Sequence, residues 1–179
     1  LEKDRPTKDR YYIGIAKEVA ARGVCHRRFS GAIIVKDDQI VSTGYTGCPR
    51  KTADCYKRGT CLRQELGVPS GQRYELCRSV HAEQNAIINA ARSGACVLGG
   101  DIYIFGQHAE TGKPLNAFPC FICKKMLINA GLCRVVCCDE NGKINVFSVE
   151  KWQKEWQDIK TEIIDDKNQY GVPIERGKI

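Results

Sequence analysis

The chain has 179 residues with a net charge of +7, 42% apolar and 27% charged residues. That composition excludes a disordered or fibrous chain, and the length holds one domain with a sizeable core. No apolar run approaches the roughly 20 residues that cross a bilayer, and the charged opening LEKDRPTKDR has no secretory h-region, so a soluble cytoplasmic protein without a membrane partner is expected.

One domain is read over 1–179. Residues 8–22 carry apolar groups at Tyr12, Ile15, Ala16, Val19 and Ala20, the spacing of an amphipathic helix that Gly23 stops. GAIIVKDDQIVSTGY reads as a hairpin turning at Asp37-Asp38. Residues 46–80 are rich in Gly, Pro, Cys and Arg without a clean period, and a loop this long is either functional or tied by metal. Residues 82–93 form a helix ended by Gly94. DIYIF at 101–105 is a buried strand, followed by the polar loop GQHAETGKPLNAF. Pro119 suits the first turn of a helix running to Asn129 and ended by Gly131. CRVVCC at 133–138 is a strand. In the C-terminal segment 148–179, Ser148 caps a helix through VEKWQKEWQDIKTEI, and a tail follows. The alternation after the hairpin predicts an α/β sandwich around a mixed sheet.

The basic balance suits a phosphate-bearing substrate or nucleic acid. No Lys/Arg run with interleaved aromatics appears, so nucleic acid is not the expected partner. The 11 cysteines are the unusual number. Without a secretory leader a disulfide frame is not expected, and thiolates for metal account better for some of them. Cys120-x-x-Cys123 at a helix start places both sulfurs on one turn, where the helix N-terminus favours thiolates. A redox pair is disfavoured, because this pair lies late in the chain behind Pro119. His81 supplies a third ligand, and a His/Cys/Cys set leaves one zinc position open, as catalytic sites do. Two positions on from His81, Glu83 need not compete as a ligand and can move protons instead. Taken jointly, H-x-E and P-C-x-x-C make the known signature of zinc nucleobase deaminases.

HAEQNAI, FPCFIC and GAIIVKDDQIVSTGYTGCPR resemble the cytidine/deoxycytidylate deaminase superfamily, most of all its bacterial and phage dCMP deaminases, over about residues 8–140. The resemblance implies a three-layer α/β/α fold with a five-stranded mixed sheet, and hydrolytic removal of the C4 amino group of dCMP, giving dUMP and ammonia. It implies that His81, Cys120 and Cys123 hold the catalytic zinc, that Glu83 shuttles the proton, and that the backbone N–H of Cys120 helps hold the attacking oxygen. It also implies a second, structural zinc on Cys25, Cys55, Cys61 and Cys77, with Cys48 as a substitute for one of them. Cys96, Cys133, Cys137 and Cys138 read as buried or incidental thiols.

By the same resemblance, Thr46, Ala82 and Asn85 are substrate-binding, Arg92 is an effector or interface residue, and the protein is a hexamer controlled by dCTP and dTTP. The chain departs from the family in two places. GYTG carries Thr46 where an asparagine contacting the nucleotide is expected, which loses the carboxamide's reach. GQHAETGKPLN intervenes before P-C-x-x-C, and His108 within it is a candidate for meeting a phosphate. Two other readings remain: a deaminase of a nucleoside or of transfer-RNA adenosine, and a non-enzymatic zinc module, against which Glu83 argues.

Overall fold

The computed structural model describes residues 5–69 and 72–157. Helix α1 (Lys8–Ala20) is followed by strands β1 (Arg28–Lys36) and β2 (Gln39–Tyr45). Two single-turn helices, α2 (Cys55–Arg58) and α3 (Leu62–Glu65), and a 3-10 turn at Tyr74–Leu76 break up the irregular segment. Then come α4 (Ala82–Ser93), β3 (Asp101–His108), α5 (Phe121–Asn129), β4 (Arg134–Cys138), β5 (Ile144–Ser148) and α6 (Val149–Gln157). The predicted remainder of the last helix and the tail lie outside the described residues. Among the described residues no helix is long and apolar enough to cross a membrane.

The five strands form one mixed sheet in the order β2-β1-β3-β4-β5. β3 and β4 run parallel, and the other neighbours are antiparallel. Side chains alternate across a strand, so one strand feeds two cores. Ile33, Val35, Tyr103, Phe105 and Val136 pack against Tyr12, Ala16 and Ala20 of α1. Ala32, Ile34, Ile102, Ile104 and Val135 face the other way, against Ala82 and Ala86 of α4, Leu127 of α5 and Trp152 of α6. The result is a three-layer α/β/α sandwich around a five-stranded mixed sheet. Each fully buried branched side chain contributes roughly 1.5–3 kcal/mol to it.

Two glycines let the helices sit close. A Cβ on Gly31 would lie 2.2 Å from the Ala16 carbonyl of α1, and one on Gly44 would lie 2.2 Å from the Ala86 nitrogen of α4. Gly44 therefore sets how near α4, the helix behind His81 and Glu83, lies to the sheet.

The hairpin turns at Asp37 and Asp38, both with positive φ. Two expectations need correction, and one strand was not expected. β3 does not stop at Phe105: Gly106, Gln107 and His108 pair with Ser30, Phe29 and Arg28, so pairing overrides their polar character. Pro119 lies ahead of the helix rather than in its first turn, since Cys120 is the N-cap of α5. β5 was not legible as a strand, although Asn141-Gly142, with Gly142 at φ 78, is a hairpin signal that could have revealed it.

Candidate active site

Two helix N-termini meet here. His81 is the N-cap of α4 and Cys120 the N-cap of α5, both in extended backbone conformation. Gln84 Oε1 accepts the His81 N–H at 3.0 Å, the N3-to-N-cap half of a capping box that fixes the start of α4. His81 Nδ1 lies 3.4 Å from Cys120 Sγ and 3.4 Å from Cys123 Sγ. The three ligand atoms lie within 4.8 Å of one another, and no other such group of His, Cys, Asp and Glu occurs among the described residues.

The hydrogen bond with Cys123 and then the His81 imidazole pull the Cys120 thiol down to about 4, while the same pair and burial push Cys123 up. Two soft sulfurs and an imidazole nitrogen form a zinc donor set, and three protein ligands leave a tetrahedral ion one position for water or substrate. The residues therefore fit zinc. Glu83 is only 7% exposed. Burial raises its pKa above the ordinary carboxyl value, the Cys120 sulfur adds to the rise, and His81 opposes it. Such a carboxyl can carry a proton in one step and release it in the next.

A cavity of about 530 Å³ opens over the site. Its lining includes His81, Glu83, Cys120, Thr46 and Ile104, with Arg27, Arg28, Arg63, Tyr74 and His108 around them. It lies beyond the C-terminal ends of the parallel strands β3 and β4, the usual place for a ligand in such sheets. Even-numbered residues of β1 and β3 face this side. Arg28 and His108, directly paired across the two strands, thus continue the row of Ala32, Ile34, Ile102 and Ile104 into the cavity.

The cytidine and deoxycytidylate deaminase zinc-binding region matches residues 6–139. The chain belongs to that family. It is 34% identical over 137 residues to the deoxycytidylate deaminase of Mycobacterium phage D29, covering 74% of this chain and 94% of the phage protein. It is 30% identical to the deoxycytidylate deaminase of Saccharomyces cerevisiae over 74% of this chain, which is 38% of the yeast protein. The crystal structure of dCMP deaminase from the cyanophage S-TIM5 in complex with dCMP and dUMP superposes with a TM-score of 0.55 at 26% identity, covering 75% of this chain and 83% of that one.

In this deaminase, Thr46 is buried and lines the cavity. Ala82 is fully buried in the core, and Asn85 Nδ2 donates to the Tyr45 carbonyl at 2.8 Å, tying α4 to the end of β2; neither is among the lining residues. Arg92 is exposed at the last turn of α4. Cys25, Cys55, Cys61 and Cys77 line one small space with His26 and Ser79, but not at the mutual distances of the first set. Cys137 and Cys138 are buried on opposite faces of β4, whereas Cys96 and Cys133 are exposed. Reasoning from sequence missed Arg28, Arg63 and Tyr74. Arg63 sits in the aperiodic segment, where only the overall positive charge hinted at an anion site.

Proposed function

We propose that this protein is a zinc-dependent deoxycytidylate deaminase, a hydrolase acting on a cyclic amidine, which converts dCMP and water to dUMP and ammonia. The carrying observation is the convergence of His81, Cys120 and Cys123 beside Glu83 in the wall of one cavity. The match over nearly the whole phage D29 enzyme and the likeness to a structure holding dCMP and dUMP support the choice of substrate.

His81, Cys120 and Cys123 would hold zinc, which supplies the Lewis acidity that makes water a nucleophile near neutral pH. Glu83 takes one proton from the attacking water and gives it to ring N3 as C4 becomes tetrahedral, then takes the remaining hydroxyl proton and gives it to the amino group, so that the C4–N bond breaks, the C4 carbonyl forms and ammonia leaves. Its burial serves both roles, because a carboxyl with a raised pKa binds and releases a proton more evenly near neutrality. Ile104 and Ala117 supply an apolar wall, and Thr46 offers one hydroxyl to the nucleotide.

A second zinc belongs to the same proposal. Cys25, Cys55, Cys61 and Cys77 surround one space, Cys48 Sγ lies 3.8 Å from Cys55 Sγ, and the Arg27 N–H donates to Cys25 Sγ at 3.4 Å. Burial pushes the Cys55 thiol up to about 11, the Ser79 hydroxyl opposes the rise, and Cys48 and Cys25 add to it. A structural ion would bind these sulfurs as thiolates, displacing their protons, and order the segment. The protein is cytoplasmic and oligomeric in this reading, with dCTP and dTTP as effectors and Arg92 at the effector or subunit interface.

The test follows ammonia from zinc-loaded protein with dCMP, CMP, deoxycytidine and transfer RNA, alongside metal content. dUMP should form from dCMP, with two zinc ions per chain, one of them lost in Cys120→Ala. Loaded protein that leaves dCMP intact would overturn the reading.

A further inference from the structure

Resting on the reading of this cavity as a nucleotide pocket, we propose that Arg63, His108 and Arg28 form the seat of the substrate's 5′-phosphate, and so decide for nucleotide over nucleoside. Three buried side-chain nitrogen or oxygen atoms lack a hydrogen-bond partner among the described residues: Arg28 Nε, Arg63 Nε and His108 Nδ1. All three residues line the cavity that holds Glu83. Buried polar atoms are nearly always satisfied, so three orphans carried by residues that line one cavity point to an acceptor among them.

The charge requirement points the same way. Arg63 is only 6% exposed. Its Nη2 donates to the Pro69 carbonyl at 3.0 Å and its guanidinium lies 4.8 Å over the Tyr74 ring, but no ion pair holds it among the described residues. A guanidinium this deep needs a counter-charge. The nearby carboxylates are otherwise placed: Glu75 pairs with Arg73, Glu140 accepts from Asn116, and Glu110 is exposed. Glu83 belongs to the catalytic end. A phosphomonoester brings two charges and several acceptors, matched to guanidinium forks.

Position fits as well. The Tyr74 ring stands edge-on to His81 at 5.1 Å and also beneath Arg63, so a single aromatic ring separates the metal-ligand imidazole from the guanidinium. A base at His81 and Glu83 thus directs its 5′ end toward Arg63. Arg28 reaches the seat by crossing Gly106, where a Cβ would lie 2.7 Å from Arg28 Nη2. His108 arrives because β3 continues past its apolar part, and the loop after it closes on the His108 N–H bond to the Lys113 carbonyl at 2.8 Å.

The experiment measures binding of dUMP and of deoxyuridine to zinc-loaded protein by calorimetry, with orthophosphate as a third ligand. Arg63→Gln and His108→Asn should each lower the dUMP-to-deoxyuridine affinity ratio about 10- to 100-fold, the worth of a charge-assisted hydrogen bond. Gly106→Ala, which displaces only the tip of Arg28, should shift the ratio the same way. Far-UV circular dichroism reports folding; should Arg63→Gln unfold, the other two variants decide. A ratio unchanged in all folded variants overturns the assignment, even if dCMP is deaminated. Orthophosphate binding that is present in the wild type and lost in the variants upholds it, even if dCMP is not the substrate.

Discussion

Replacing Gly44 with alanine tests the link from fold to site. The new Cβ would lie 2.2 Å from the Ala86 nitrogen and 2.3 Å from the Ala82 carbonyl, so α4 must retreat by about 1 Å to reach the 3.4 Å at which ordinary contact begins. Both obstructing atoms are backbone, and no side chain can swing away. Ser42 Oγ to the Ala86 carbonyl at 2.6 Å and Asn89 Nδ2 to the Thr43 carbonyl at 2.7 Å resist the retreat. Overpacking of this kind costs about 1–3 kcal/mol. For a chain of this size each kcal/mol lowers Tm by about 2–4 °C. Because α4 carries Glu83 and follows His81, a shift of this size should also cost on the order of 100-fold in turnover. Gly14→Ala is the control: it lies on the exposed side of α1 with nothing within 4 Å of a new Cβ. It should add about 0.5–1 kcal/mol of stability and leave turnover alone. Calorimetric unfolding and steady-state kinetics measure both. Gly44→Ala with wild-type Tm and kcat would refute the claim that this contact sets the position of α4.

Other outcomes follow from the same geometry. Glu83→Gln should retain zinc by metal analysis yet lose about 10²- to 10⁴-fold in kcat, since it keeps the shape and removes the proton carrier. Trp152→Ala should cost about 3–5 kcal/mol in urea unfolding, because its ring is buried against Phe147 in the core beneath α4 and α5. The Tyr12 hydroxyl donates to Asp38 Oδ1 at 2.7 Å, and that bond raises the tyrosine from 10.0 to about 12. A raised folded-state value means that the pair's stabilisation is complete below pH 10 and lost as pH climbs toward 12. Tyr12→Phe should therefore lose less stability than the wild type across that window.

The three-residue metal set was readable before any fold, because H-x-E and P-C-x-x-C each occupy a helix start and helix starts announce themselves in sequence. Period-3.6 spacing placed α4 at 82–93, and the structure has Ala82–Ser93. The hairpin was equally legible from two β-rich runs about Asp37-Asp38. Local chemistry decides such features, so local sequence reveals them.

Pairing and burial were decided elsewhere. The polar end of β3 is a strand because Arg28, Phe29 and Ser30 stand opposite it, and β5 is a strand because β4 offers it an edge. Nothing along the chain distinguishes Arg63 from the other arginines of its segment. Its burial, its place over Tyr74 and its shared cavity with Arg28 and His108 arise from contacts between residues distant in sequence. The chemistry of the metal end was written in residue types at short spacing. The burial of the Arg63 guanidinium came from packing, which only the folded chain imposes.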